Sequence, residues 1–190
     1  FYNNSVPNPL FSLNAKVFEK LHIIDDENAA RCQIIEGIDS GLQNSVIKAT
    51  VFNKFVLPEF RIGEDRLFIL MALKSHFTLA FIDNIHVHYN VHDDNLSDTS
   101  AGDERFDRRI VAMRRLLTSY EHAHDYVELN SKEQKYLNKR LALDYFWKLG
   151  YSLQYQAGYY KDAINTYKIA LNLCPYTFKF WKTYLFALMQ

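Results

Sequence analysis

At 190 residues and 48% hydrophobic, the chain has room for one full domain or two small ones around a real core. Its 22 basic and 22 acidic residues cancel, which excludes a global field that would gather nucleic acid or an anionic membrane. Every apolar run is broken by charge well short of ~18 residues, so no transmembrane segment is expected.

Two cysteines, Cys32 and Cys174, lie far apart with neither metal spacing nor a disulfide framework, which fits a reducing, cytoplasmic compartment. Aromatic residues reach 15%, with 13 Tyr and 14 Phe. Packed helices and a stacking surface for sugars both use such residues, packing being the commoner use. The chain opens on Phe1 without Met, basic leader or signal core, and reads as part of something longer.

In chain order, the proline- and asparagine-bearing stretch 1–13 reads as loop. Asn14 is positioned to cap a short helix from Ala15 to Leu21, and Asp25-Asp26-Glu27 opens an acidic helical segment ending near Gly37. Ser45–Phe55 carries β-branched residues at Val46, Ile47, Thr50 and Val51, predicting a strand that passes into a short helix before Pro58. Glu64–Ser75 is too continuously apolar for a surface helix and is predicted to be buried. Phe77–Ile82 and Ile85–Tyr89 read as strands around an Asp83-Asn84 turn, and Asp93–Asp103 as an exposed loop.

The remainder reads as helical. Glu104–Ala123 keeps helical spacing, and Ser131-Lys132-Glu133-Gln134 has the pattern of a capping box opening a helix to Gly150. Trp147, Gly158, Tyr160, Ala163, Tyr167, Ala170 and Pro175 then fall at the spacings of one tetratricopeptide-like unit, with Tyr176–Gln190 as the next helix. Leu149-Gly150 sits one place earlier than that repeat's Leu-Gly, which predicts an altered first helix. One such unit cannot bury its own face, so this tail is expected to be an appendage packed on the first domain.

Three constellations carry candidate chemistry. Glu64-Asp65 puts two acids at a helix start just after Gly63. The macrodipole alone explains many such acids, at ~0.3–1 kcal/mol each, but a rigid carboxylate there also suits a general base. His86, His88 and His92 form H-x-H-x3-H, which reads either as half-exposed strand histidines or as a zinc site. Asp25-Asp26 follows two isoleucines and reads mainly as an acidic helix start, with a superficial likeness to a cation-binding Asp-x-Asp.

Over roughly residues 45–100 the chain resembles the second half of the catalytic domain of family 2 nucleotide-sugar glycosyltransferases. The likeness rests on Gly63-Glu64-Asp65 opening an apolar helix and on His92-Asp93-Asp94-Asn95-Leu96-Ser97 after the last strand. It implies an α/β region, a partial A-type fold with a mixed sheet over 1–103, followed by an all-α extension over 104–190. It implies Asp65 as general base and Glu64 as a residue that orients the site or meets acceptor hydroxyls. His92, Asn95 and Ser97 would close over the donor diphosphate, with His92 also a ligand of a divalent cation (Mn or Mg). That cation's main ligands are expected upstream of Phe1, where the nucleotide-binding half would lie. The implied partners are a nucleotide-sugar donor and a glycan or lipid-linked acceptor, with peripheral association at the inner face of a membrane. The rival is a non-enzymatic interaction module built on the helical tail. It predicts an exposed face at Tyr151, Tyr155, Tyr159 and Tyr160.

Overall fold

The computed structural model describes residues 13–24, 27–38, 42–84 and 106–189. Alternation of side chains decides the first element. Ala15–Phe18 (β1) and Leu21–Ile24 (β2) pair antiparallel around the two-residue turn Glu19-Lys20, with Phe18 opposite Leu21. The helix expected from Ala15 to Leu21 is therefore a hairpin. Glu19 takes a left-handed φ of 55°, a conformation that hairpin turns ordinarily assign to Asn or Gly, so the sequence carried no turn signal.

Ala80–Ile82 (β3) adds to β2, giving an antiparallel sheet in the order β1-β2-β3. The strand expected over Phe77–Ile82 is thus confined to its second half, and Ile85–Tyr89 lies outside the described residues. One face of this sheet, through Ala15, Ile24 and Phe81, packs with Ala29, Cys32 and Leu73 into a small core.

Ala29–Ile35 (α1) ends where Gly37, at φ 73°, turns its N–H back to the carbonyls of Cys32 and Gln33. Ser45–Lys48 has no regular structure and Val46 is fully exposed, so the predicted strand is absent, while the predicted helix follows as Ala49–Lys54 (α2). A β-branched residue with no neighbour to pack on gains nothing from a strand.

Glu64–Lys74 (α3) is the buried helix that its composition predicts, with Leu67, Phe68 and Leu70 essentially inaccessible. Phe52 of α2 stacks on Phe68 at 5.1 Å. His76, at φ 61°, closes α3: its N–H bonds the Leu73 carbonyl, and that of Phe77 bonds Ala72. This is a Schellman ending with histidine where glycine is usual.

The chain divides into two compact units. The first holds Phe1–Glu59, Glu64–Tyr89 and His124–Glu128; the second holds Phe60–Gly63, Asn90–Ala123 and Leu129–Gln190. The described part of the second unit is helical: Phe106–Glu121 (α4), Ser131–Leu143 (α5), Tyr160–Leu173 (α6) and Phe178–Leu188 (α7). The resemblance implies a partial A-type fold with a mixed sheet before an all-α extension; the described residues show a three-stranded sheet that is antiparallel throughout, followed by helices, and do not show an A-type fold.

The cap of α5 is Asn130 rather than Ser131. Its side chain accepts from the N–H groups of Lys132 and Glu133, while Glu133 accepts from the Asn130 N–H at 2.8 Å. The capping box therefore starts one residue early, on a residue at least as effective as serine in that role.

After Leu143 the helix continues without interruption as Asp144–Tyr155, but with a wider winding that closes i→i+5 hydrogen bonds. Asp144, buried at the start of this wide segment, is held by Arg140 at 2.6 Å and Lys148 at 2.9 Å, one turn away on either side. The wide segment answers the displaced Leu149-Gly150. Each residue of a wider turn advances the helix face by less, and Gly150 comes to lie directly against the Tyr167 ring of α6. A Cβ there would sit 2.7 Å from Tyr167 Cε1 and 3.0 Å from the Tyr145 carbonyl.

The unit's core is aromatic. Phe146 of the wide segment is stacked between Tyr167 of α6 (4.3 Å) and Phe180 of α7 (4.2 Å). Ala163 and Ala170 are fully buried, as the close approach of two helices requires. Gly150→Ala is expected to overpack this contact and cost ~1–3 kcal/mol in urea-induced unfolding, since both the ring and the carbonyl must shift.

Candidate functional site

The two acids singled out by the sequence stand in the first turn of α3. Gly63 precedes them at φ 93°, a backbone conformation that side chains disfavour. In the second unit, the space where its Cβ would lie is occupied by the Ser119 hydroxyl, 2.1 Å from the ideal Cβ position.

Glu64 and Asp65 are both half-buried. Asp65 Oδ1 accepts the Arg66 N–H at 2.8 Å, which satisfies one of the donors left over at a helix start and holds the carboxylate in place. Glu64 Oε2 is buried and has no hydrogen-bond partner among the described residues. A buried acceptor without a donor costs ~1–3 kcal/mol, so it stands out against the rule that such atoms are paired.

A residue that the sequence did not mark supports this turn. Gln33 is fully buried on α1; its Nε2 donates to the Arg66 carbonyl at 3.0 Å, and its Oε1 accepts the Ile38 N–H at 2.7 Å. One amide thus ties the start of α3 to the chain leaving α1. Its only sequence signal was a polar residue on the inner side of a helix.

His86, His88, His92, Asn95 and Ser97 lie outside the described residues, as does Asp25-Asp26. Among the described residues no group of His, Cys, Asp and Glu is placed to hold a metal ion. Among the described residues neither Cys32 nor Cys174 is in a disulfide. No described helix is long and apolar enough to cross a membrane.

In the helical unit the tyrosines named by the rival reading are mostly outward. Tyr151, Tyr159 and Tyr160 are 40%, 42% and 54% exposed, and Tyr155 is half-buried between Tyr151 (5.9 Å) and Tyr160 (5.0 Å). Tyr159 donates to Asp107 Oδ1 at 2.8 Å. The Tyr167 hydroxyl and the Gln154 amide are buried without hydrogen-bond partners among the described residues. Burial first, and then the neighbouring Tyr155 and Tyr151, push the Tyr167 hydroxyl well above the ordinary tyrosine range. Burial likewise raises Tyr145, with further contributions from its 2.7 Å hydrogen bond to Glu121 and from that carboxylate's charge.

No family model, curated protein or solved structure matches this chain.

Gln33→Leu is expected to leave the Arg66 carbonyl and the Ile38 N–H unpaired. It should lower stability by ~1–3 kcal/mol per lost partner and speed amide exchange in the first turn of α3. A second test uses alkaline pH. The unfolded chain releases tyrosine protons from about pH 10, while the folded chain retains those of Tyr145 and Tyr167. Unfolding free energy should therefore fall as pH rises above ~10. Tyr167→Phe should flatten that fall and, because it removes an unpaired hydroxyl, cost little at neutral pH.

Proposed function

We propose that this chain is the acceptor-side half of an A-type-fold, family 2 glycosyltransferase. It would transfer a sugar from a nucleotide-sugar donor to a glycan or lipid-linked acceptor. Asp65 is the general base: it takes the acceptor hydroxyl proton as that oxygen attacks the anomeric carbon, and the bond from that carbon to the nucleoside diphosphate breaks with its electron pair going to the phosphate oxygen. Glu64 orients the acceptor. The observation that carries this reading is the buried Oε2 of Glu64, without a partner among the described residues, beside Asp65 in one helical turn. An acceptor hydroxyl would supply the missing donor.

A divalent cation would offset the charge of the leaving diphosphate. Its main ligands belong to the nucleotide-binding half, and His92 contributes from this chain, with Asn95 and Ser97 closing over the diphosphate. The proposed setting is cytoplasmic, at the membrane's inner face, which suits a lipid-linked acceptor.

A second reading has its own observation. The outward Tyr151, Tyr159 and Tyr160 are what a helical interaction module offers, and a buried appendage would have covered them. The two readings part on one experiment.

Asp65→Asn in the full polypeptide that joins this chain to a nucleotide-binding half should lower sugar transfer by roughly 10²–10⁴-fold, with nucleotide-sugar binding changed only a few-fold. The amide keeps the shape of the carboxylate but cannot take the proton. Transfer at the wild-type rate would remove the base assignment and leave the interaction module standing.

A further inference from the structure

α7 has two apolar faces, and among the described residues only one of them is packed. Phe180 and Ala187 of α7 point inward, with Phe180 stacked on Phe146 and edge-on to Trp147 at 6.1 Å. On the opposite side Phe178, Trp181, Leu185, Leu188 and Met189 are exposed, Phe178 and Met189 by nearly four-fifths. Helical spacing gathers these five into one stripe. Lys182 lies within it and Lys179 on its flank, both exposed, and no acidic residue occurs from Pro175 to Gln190.

We infer that this outer face of α7 is a membrane-surface contact that seats on anionic phospholipid. The argument is charge and side-chain chemistry together. A helix lying at a bilayer surface needs large apolar and aromatic groups on one side and lysines whose long stems let the ammonium reach the headgroups. The face has both, with nothing acidic on the helix to repel phosphate. Trp181 also fits an interfacial position. Its Nε1–H is already satisfied by the Pro175 carbonyl at 2.7 Å, so burying the indole strands no donor. A second copy of the chain is a poorer occupant, because two such faces would bring four lysines together without a counter-charge on either helix. The balanced charge of the whole chain does not oppose the contact, since screening confines the relevant field to charges within about 10 Å of the surface.

The test is co-sedimentation of the full chain with phosphatidylcholine vesicles, with and without phosphatidylglycerol, while following tryptophan emission. The expected result is binding to the phosphatidylglycerol vesicles, weakened by salt, with a blue shift that persists in Trp147→Phe and therefore reports Trp181. Lys179→Glu with Lys182→Glu should reduce the partition coefficient by at least about tenfold. Leu185→Ser should weaken binding with and without salt. These positions are exposed, so circular dichroism should show the variants folded. Three outcomes would overturn the inference: no binding to either vesicle, binding indifferent to both sets of substitutions, or a face that instead holds two chains together in analytical ultracentrifugation. The readout is lipid binding, so it stands or falls separately from sugar transfer.

Discussion

The helical unit is organised around one ring. Phe146 is stacked on both faces, by Tyr167 and by Phe180, so three successive helical segments meet at a single fully buried aromatic triplet. Each ring removes on the order of 150–250 Å² from water, and the pairings add ~0.5–1.5 kcal/mol each beyond that burial. The contact also sets the backbone around it. Tyr167 can reach Phe146 only because Gly150 yields the space its Cβ would fill. Gly150 in turn faces Tyr167 from a segment wound more widely than an α-helix. The glycine one place out of register and the widened turn are therefore two views of one packing requirement. Wide turns of this kind are rare and persist where a local demand holds them.

That requirement bears on how the pair made by the wide segment and α6 holds together. Its own two helices leave two faces to cover. α4 packs against the wide segment, and α5 and α7 both pack against α6. Helical periodicity located these covering helices in the sequence. The buried clamp of Arg140, Asp144 and Lys148 marks the point where regular winding gives way to wide winding.

Where the sequence was legible, one strong signal governed the outcome. α3 was readable from four closely spaced apolar residues after an acidic start, and α6 from its small residues and closing proline. The misses share a different cause, namely backbone turns made by residues that do not advertise them. Glu19 turns the hairpin, His76 closes α3 and Asn130 displaces Ser131 as a cap. At Glu19 and His76 the surrounding pairing or packing overrode local preference at a cost of ~1 kcal/mol or so, whereas Asn130 caps at least as well as Ser131 would. The candidate site divides in the same way. Glu64 and Asp65 were visible because acids at a helix start are a one-dimensional pattern. Gln33 was not, because its partners Arg66 and Ile38 are found only once the fold brings α1 to α3.

The start of α3 sets one polar atom without a partner among the described residues against a well-packed helix. Leu67, Phe68 and Leu70 are each buried almost completely, and such burial contributes about 1.5–3 kcal/mol per side chain. Gln33 and Asp65 satisfy groups in the first turn, and His76 closes the last. Against that total, one carboxyl oxygen of Glu64 without a partner among the described residues costs only ~1–3 kcal/mol. The helix holds its position with the defect in place. A protein selected for stability alone would exchange Glu64 for a residue without a buried orphan oxygen, since its neighbour Asp65 already provides an acid in the turn. Among the described residues, what Glu64 Oε2 lacks is a hydrogen-bond donor.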